Sequence, residues 1–245
     1  MYNFFIEENN FNGDTAVITG SDFNHIKKVL RMREGEELLV SVSGFSYLCK
    51  IANFTSDSVI LSVIERNCKN TELPIEIYLF QGLPKSDKFE LIIQKAVELG
   101  VTKIIPVDMK RCVVKLDGKK ADSKVSRWQA ISESASKQSK RNLIPEVLPV
   151  TPLKQCVKYI NELNLTIVPY ENAEGMTATK NAFDEISKGY KVGVFIGPEG
   201  GFEDSEIEFL KDTSAKIISL GSRILRTETA AITALSAIML KAELL

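Results

Sequence analysis

The chain has a single histidine, His25, and this scarcity excludes several kinds of enzyme. A Ser-His-Asp hydrolase uses histidine as its general base, and a two-histidine metal site needs a second imidazole. Either site would have to recruit His25 from the N-terminal end of a chain of 245 residues. We therefore expect neither kind of site.

Cysteine is also scarce, and its positions are scattered. The four cysteines lie far apart and form no C-x-x-C pair: Cys49, Cys68, Cys112 and Cys156. This pattern favours neither a zinc site nor a dense disulfide framework. We expect reduced thiols and no bound metal ion.

Long apolar segments are missing as well. No uncharged stretch approaches the length of about 18 residues that is typical of a membrane-spanning helix. Residues 1–7 lack the basic stretch and following apolar run of a signal peptide. With 44% apolar and 26% charged residues, the composition is that of an ordinary globular protein. We expect a soluble protein that stays in the cytoplasm.

Two patterns of hydrophobicity divide the chain. Residues 1–72 are short alternating runs broken by glycines, which predicts a small, mostly β domain with one helix opened by Ser21 and Asp22. Beyond Pro74, strand-like and helix-like segments alternate through residues 73–245. Such alternation predicts a parallel sheet covered by helices, and therefore an α/β protein of two domains.

The predicted elements of the second domain are regular. The predicted strands are residues 75–81, 103–107, 165–170, 192–196 and 216–220, and the predicted helices are residues 86–99, 122–140, 177–186, 203–211 and 227–240. In the helix at 122–140, apolar residues recur at spacings of three and four. This spacing places Trp128 in the core or in a dimer contact rather than in a base-stacking platform.

Two loops near the C-terminus carry most of the functional information. Residues 197–202 have the sequence Gly-Pro-Glu-Gly-Gly-Phe, and residues 220–230 have the sequence Leu-Gly-Ser-Arg-Ile-Leu-Arg-Thr-Glu-Thr-Ala. Neither loop matches the phosphate-binding pattern G-x-x-x-x-G-K-[ST] or the dinucleotide pattern G-x-G-x-x-G. Each follows a predicted strand and precedes a predicted helix, so both are expected at the carboxyl edge of the sheet, where open α/β folds bind ligands.

Three charged residues crowd the second loop: Arg223, Arg226 and Glu228. A purely structural turn needs none of them, so their position beside a ligand-binding edge favours a chemical role. The structural alternative is a salt bridge between Arg226 and Glu228.

Charge is unevenly distributed, although the net charge is only −1. Residues 103–141 contain eleven Lys and Arg against four Asp and Glu, a net charge of +7, whereas residues 171–212 carry a net charge of −6. A basic block in a near-neutral protein indicates a polyanionic partner on one face. The alternative is a charged surface that only faces solvent.

Together with the rest of the chain, the two loops closely resemble the bacterial RsmE family. The other matching segments are Lys85-Ser86-Asp87-Lys88, residues 94–101, residues 111–115, Arg127-Trp128, residues 138–141, residues 145–147, and His25 with Val29-Leu30-Arg31. RsmE enzymes are SPOUT (trefoil-knot) methyltransferases that methylate N3 of a uridine in the 16S ribosomal RNA of the small subunit. The resemblance implies an α/β-knot methyltransferase domain at residues 73–245, a PUA-like RNA-binding β-barrel at residues 1–72, S-adenosyl-L-methionine as cofactor, and a homodimer.

The resemblance also implies roles for individual residues. Those expected to hold the cofactor, mostly through backbone groups and apolar contacts, are Gly197, Gly200, Gly201, Leu220, Gly221, Ile224 and Leu225. We expect Arg226 to stabilise the uracil anion and Glu228 to orient the base or accept its proton. The candidates for phosphate contacts are His25, Lys27, Lys28, Arg31, Arg111, Lys115, Arg127 and Arg141.

Three residues depart from the family pattern. Cys112, Lys140 and Ser222 stand where the family commonly has Ser, Gly and Pro. For His25, the alternative to RNA contact is a packed or hydrogen-bonded structural residue. Two other functions stay open: a methyltransferase of the same fold acting on another RNA atom, such as a ribose 2'-hydroxyl, and an RNA-binding protein with a vestigial cofactor pocket.

Overall fold

The computed structural model describes residues 1–68, 70–85, 87–173 and 175–245. They form two compact units, one of Met1–Glu72 with Ser136–Ile144 and one of Leu73–Ala135 with Pro145–Leu245. The predicted division into domains at residues 72 and 73 stays a prediction. The compact units differ from it in one segment, Ser136–Ile144, which belongs to the first unit.

The first unit is built on a five-stranded sheet. Its strands are β1 (Asn3–Phe5), β2 (Thr15–Thr19), β3 (Glu37–Val42), β4 (Phe45–Phe54) and β5 (Ser58–Arg66), in the order β1-β3-β4-β5-β2. β1 pairs with β3 in parallel, and the other pairs are antiparallel. Apolar side chains on alternate positions, including Leu38 and Val40, form a core separate from that of the second unit.

A short helical segment follows β2. Helix α1 (Gly20–Asn24) continues into a π-helical stretch at His25–Leu30, which ends at Arg31 in the left-handed conformation with φ 53°. The predicted cap by Ser21 and Asp22 is wrong, because the helix already begins at Gly20. The Asp22 carboxylate instead accepts a hydrogen bond from Lys137 Nζ at 3.0 Å.

The second unit contains the predicted parallel sheet. Its strands are β6 (Glu76–Gly82), β7 (Lys103–Asp108), β8 (Glu146–Val147), β9 (Thr151–Pro152), β10 (Leu165–Pro169), β11 (Lys191–Ile196) and β12 (Lys216–Ile218). The order is β12-β10-β11-β6-β7-β8, with β9 also pairing with β7, and every pair is parallel. This arrangement confirms the α/β class.

Helices cover the sheet of the second unit. They are α2 (Lys88–Glu98), α3 (Gly118–Ser139, whose last turn belongs to the first unit), α4 (Val157–Ile160), α5 (Thr177–Asp184), α6 (Asp204–Asp212) and α7 (Thr227–Glu243). The predicted first residue of α2, Ser86, lies outside the described residues.

The core of the second unit lies between sheet and helices. β6, β10 and β11 are buried along almost their whole length, as expected of strands covered on both faces. The rings of Phe80 and Phe195 stack at 4.1 Å between centroids. Trp128 is buried with its ring edge-on to Phe89, so its predicted place in the core is confirmed. Among the described residues, no helix combines the length and apolar character required to cross a membrane.

Candidate functional site

The two glycine-containing loops meet at one edge of the second unit's sheet. β10, β11 and β12 run parallel and end there at Pro169, Ile196 and Ile218. Because their carboxyl ends lie together, the loops that follow enclose a common cavity of about 990 Å³. This volume lies within the range of about 300 to 1,000 Å³ that is usual for small-molecule sites.

All seven residues predicted to hold the cofactor line this cavity: Gly197, Gly200, Gly201, Leu220, Gly221, Ile224 and Leu225. Sequence reasoning missed a third wall, the segment after β10, with Tyr170, Glu171 and Met176. It also missed Lys88, at the start of α2. The third wall could have been found, because residues 165–170 had been predicted as a parallel strand and the loop after it meets the same edge.

The glycines of the first loop are required by close packing. Gly201 has φ 67°, and a Cβ there would collide with the Glu171 carboxylate. A Cβ at Gly200 would lie 2.9 Å from Arg111 Cβ. A Cβ added at Gly82, on the neighbouring strand, would also clash, because it would lie 2.6 Å from Pro198 Cδ. Any side chain at these positions would displace the loop.

The lining suits a nucleoside linked to an amino acid. Leu220, Ile224 and Leu225 offer apolar surface, and Ile224 is 90% exposed. Helix α7 begins at the cavity without a side-chain cap, so its first backbone N–H groups could bind an anionic group such as a carboxylate. Glu171 supplies an acceptor for hydroxyl or ammonium groups. These features fit the cofactor that the resemblance implies.

A buried hydrogen-bond relay joins the first loop to the start of α7. Thr227 Oγ1 donates to the Gly197 carbonyl at 2.7 Å and accepts from Gln81 Nε2 at 3.0 Å. Gln81 Nε2 also donates to the Gly82 carbonyl at 2.9 Å. The relay therefore fixes the cavity wall to the central strand β6.

The predicted catalytic residues have different surroundings. Arg226 is exposed, lines the cavity and makes no side-chain hydrogen bond or ion pair within the described part of the chain. Glu228 is only 16% exposed and does not line the cavity itself. Its Oε2 lies 3.4 Å from Lys88 Nζ, and this atom has no hydrogen bond among the described residues. Arg226 and Glu228, both of which the structure describes, therefore do not form the salt bridge that was the structural alternative.

Lys88 also contacts the first loop, because its Nζ lies 3.3 Å from Glu199 Oε1. Burial raises the pKa of the Glu199 carboxyl, but the backbone N–H groups of Lys85 and Glu199 and the Lys88 ammonium outweigh burial and hold the pKa below its usual value. One ammonium therefore lies between two carboxylates, one from the first loop and one from α7.

A turn after β7 holds the first loop from the other side. Arg111 Nη1 donates to the Gly200 carbonyl at 3.0 Å. The adjacent Lys110 donates through its backbone N–H to Glu206 at 2.9 Å and through Nζ to Glu203 at 2.8 Å. Hydrogen bonding to Lys110 lowers the pKa of the Glu203 carboxyl.

The predicted RNA contacts on the first unit fall into two groups. His25, Lys27, Lys28 and Arg31 lie exposed on the π-helical segment and its end. Arg141, in contrast, is 3% exposed, and its Nε donates to Glu72 at 2.8 Å. The RNA role of Arg141 stays a prediction, but its burial in an ion pair argues against a phosphate contact.

Of the predicted contacts on the second unit, Arg111, Lys115 and Arg127 are all exposed, and the latter two pair with carboxylates. Lys115 Nζ lies 2.7 Å from Asp108, and Arg127 makes two hydrogen bonds to Glu90. The Arg127 hydrogen bond lowers the pKa of Glu90, although burial opposes this shift. A phosphate would have to compete with these carboxylates.

Two of the family departures now have a structural setting. Lys140 has φ 58°, a left-handed conformation that favours glycine, and this explains why glycine is common there. Cys112 is buried, and burial raises its thiol pKa. Ser222 is an exposed residue of the cavity lining.

Comparisons with known proteins agree with this geometry. A family model described as an RNA methyltransferase domain matches residues 71–239, and one described as an RNA methyltransferase PUA domain matches residues 18–64. The chain is 41% identical over 235 residues to ribosomal RNA small subunit methyltransferase E of Bacillus subtilis, which covers 94% of this chain and 92% of that protein. It is 34% identical to the Mesomycoplasma hyopneumoniae protein of the same name, over 95% of this chain and 96% of that one.

A solved structure matches as well. The ribosomal RNA small subunit methyltransferase E of Neisseria gonorrhoeae, bound to S-adenosyl methionine, superposes with a TM-score of 0.83 at 29% identity, covering 98% of this chain and 97% of that one. The predicted SPOUT fold with a PUA domain is thereby confirmed. The chain belongs to the ribosomal RNA small subunit methyltransferase E family.

Proposed function

We propose that the chain is a methyltransferase that uses S-adenosyl-L-methionine to methylate N3 of one uridine in 16S ribosomal RNA, acting on the small ribosomal subunit. The observation that carries this proposal is the cavity between three loops at the carboxyl edge of the sheet, which all seven predicted cofactor residues line. The curated relatives support the substrate through their names. The relative from Neisseria gonorrhoeae supports the cofactor.

When bound, the cofactor supplies an activated methyl group on a sulfonium. The chain's part is to hold the acceptor nitrogen in line with that group, and good alignment contributes up to about 7–11 kcal/mol to the barrier reduction. The glycine loops and the Thr227 relay provide a wall of fixed shape for this purpose.

The acceptor nitrogen must lose its proton before or during transfer. Arg226 has no competing partner in the described chain and faces the cavity, so its guanidinium is available to the carbonyl oxygens over which the uracil anion is spread. Glu228 would accept the N3 proton or orient the base, and Lys88 would hold it in place. Removing a general base typically costs about 100- to 10,000-fold in rate.

The finer parts of the proposal concern assembly and place. We propose a homodimer, since three exposed leucines lie in the last turn of α7 and directly after it, Leu240, Leu244 and Leu245, which a second copy would cover. We propose that the protein works in the cytoplasm, where its substrate is found, and that it needs no metal. Within the described residues, no cluster of three or more His, Cys, Asp or Glu is placed to hold an ion.

The test is transfer of a labelled methyl group to small ribosomal subunits and, in parallel, to free ribosomal RNA, followed by digestion to nucleosides. Labelled 3-methyluridine supports the proposal and shows which particle is the substrate. Labelled ribose or another base would assign a different target atom, and no label with cofactor binding intact would favour a binding protein.

Variants test the residue roles. Arg226→Ala and Glu228→Gln are expected to lose turnover while retaining cofactor binding. Lys188→Ala is the control, because Lys188 is an exposed cation of the second unit that does not line the cavity. Near-normal turnover in both Arg226→Ala and Glu228→Gln would refute the assignment.

A further inference from the structure

We propose that Arg111 is a positioning residue that couples RNA binding to cofactor binding. It holds the Gly200 carbonyl of the cofactor loop with one N–H group and offers the opposite edge of its guanidinium to an RNA phosphate. The inference rests on the proposed function, because it takes the cavity as the cofactor site and RNA as the partner.

Arg111 joins two sets of residues that were predicted independently. It belongs to the basic block of residues 103–141, whereas Gly200 belongs to the loop that lines the cavity. The hydrogen bond from Arg111 Nη1 to the Gly200 carbonyl is 3.0 Å long. The two backbones also lie close together, since a Cβ at Gly200 would lie 3.2 Å from the Arg111 carbonyl oxygen. A displacement of Arg111 therefore moves the cavity wall.

The turn that carries Arg111 is fixed to the helix that follows the loop. Lys110 bonds to Glu203 and Glu206, at the start of α6, and to Ser205 Oγ at 2.9 Å. The loop between Gly200 and α6 is thus held at both ends by two consecutive residues of one turn. A movement of the turn is therefore expected to move the loop as well, because hydrogen bonds join the two directly.

Arg111 is open to a ligand on its other side. The side chain is exposed, and the bond to Gly200 is its only hydrogen bond within the described residues. The Nε and Nη2 edge of a guanidinium binds a phosphate through two parallel hydrogen bonds. The Glu203 carboxylate, which Arg111 influences electrostatically, is itself paired with the Lys110 ammonium at 2.8 Å, so it does not repel an incoming phosphate strongly.

A phosphate on Arg111 would fix the guanidinium and with it the Gly200 carbonyl. By linkage, if RNA favours the ordered loop, then the cofactor must favour RNA binding by the same factor. For one hydrogen bond at a loop, we expect coupling near the lower end of the usual range, about 5- to 10-fold.

The experiment measures binding without chemistry. The dissociation constant of S-adenosylhomocysteine is measured by calorimetry with and without saturating free small-subunit ribosomal RNA, for the 245-residue chain and its variants. In the unmodified protein, RNA is expected to tighten S-adenosylhomocysteine binding about 5- to 10-fold. Arg111→Ala is expected to reduce this ratio to one, even where RNA is raised to saturation.

Two further variants separate coupling from folding and from charge. Arg111→Lys can bond to the carbonyl or the phosphate but lacks the forked geometry, so it is expected to fold normally and still lose most of the coupling. Lys115→Ala removes a neighbouring exposed cation paired with Asp108, and it is expected to weaken RNA binding but retain the coupling ratio. A ratio of one in the unmodified protein, or an unchanged ratio in Arg111→Ala, overturns the inference. Coupled binding of both ligands without any methyl transfer would instead refute the proposed function and leave the coupling standing.

Discussion

The hydroxyl of Thr227 ties the cavity wall to the central sheet, and removing it provides a strong test of the site's architecture. Thr227 is 5% exposed, and its Oγ1 makes two hydrogen bonds, to the Gly197 carbonyl and from Gln81 Nε2. Thr227→Val keeps the volume and branching of the side chain but loses both bonds. The carbonyl of Gly197, a residue of the cavity lining, is then left without this donor.

The magnitude follows from what is left unpaired. A buried polar group without its partner costs about 1–3 kcal/mol, and each lost bond contributes about 0.5–1.5 kcal/mol net. Gln81 Nε2 keeps its bond to the Gly82 carbonyl, so the main penalty falls on Gly197. We expect the free energy of unfolding to fall by about 2–4 kcal/mol. At about 2–4 °C per kcal/mol for a unit of this size, the thermal midpoint falls by roughly 4–16 °C.

Thermal unfolding and calorimetric titration with S-adenosylhomocysteine measure the two consequences. Thr227→Ser keeps the hydroxyl and is expected to restore most of the stability and the affinity. Thr229→Val is the matched control, because Thr229 lies exposed on the same turn of α7. If Thr227→Val unfolds within about 0.5 kcal/mol of the unmodified protein and binds S-adenosylhomocysteine equally well, the relay does not hold the wall and the reasoning fails.

Three further predictions concern single side chains. Gly201→Ala places a methyl group against the Glu171 carboxylate at a residue with φ 67°, and it should weaken S-adenosylhomocysteine binding more than tenfold (roughly 1.4 kcal/mol) in calorimetry. Gly189→Ala is the control, because Gly189 also has a positive φ, 82°, but lies in open space, so this variant should affect only stability. The pKa of the Glu199 carboxyl is lowered in the folded protein, so the stability that this carboxylate contributes is complete above about pH 4.5 and is lost as the pH falls through the folded-state pKa. The difference in thermal midpoint between Glu199→Gln and the unmodified protein should therefore shrink in titrations below about pH 4.5. Arg141→Ala removes a buried guanidinium and leaves the partly buried Glu72 carboxylate with the Asn142 backbone N–H as a remaining partner, so it should cost about 3 kcal/mol. Arg127→Ala, at an exposed pair, should cost less than about 1 kcal/mol, and equal losses in urea unfolding would contradict this ranking.

The cavity could be predicted from the sequence because its walls are local features. Each of the loops at 197–202 and 220–230 follows a buried strand and precedes a helix, so their position at the carboxyl edge follows from the parallel sheet alone. The loop after residues 165–170, which forms the third wall, also follows a parallel strand and lies at the same edge. It was missed because it contains no glycine pair. The local sequence pattern was therefore sufficient to predict where the site lies.

The partners of the charged residues could not be predicted in this way. Lys88, Glu199 and Glu228 come together from three elements that are far apart in the chain, and no periodicity relates them. The shortest strands were missed for a simpler reason. Glu146–Val147 and Thr151–Pro152 have two residues each, too few to show an alternating pattern.

The basic block shows most clearly why a count of charges is a poor guide to an RNA surface. Residues 103–141 carry a net charge of +7, yet Lys110, Lys115, Arg127 and Arg141 each pair with a carboxylate. Their carboxylate partners at positions 72, 90 and 203 lie outside the block, so the count omits three charges that partly offset it. On the first unit, in contrast, Lys27, Lys28 and Arg31 have no ion pair within the described part of the chain. An unpaired cation attracts an approaching phosphate with its full charge, whereas a paired cation must first separate from its carboxylate partner. Within the block, the exposed Arg111, Lys119, Lys120 and Lys124 likewise have no ion pair among the described residues. We therefore expect phosphate contacts at these four residues and at the π-helical segment rather than at the four paired cations.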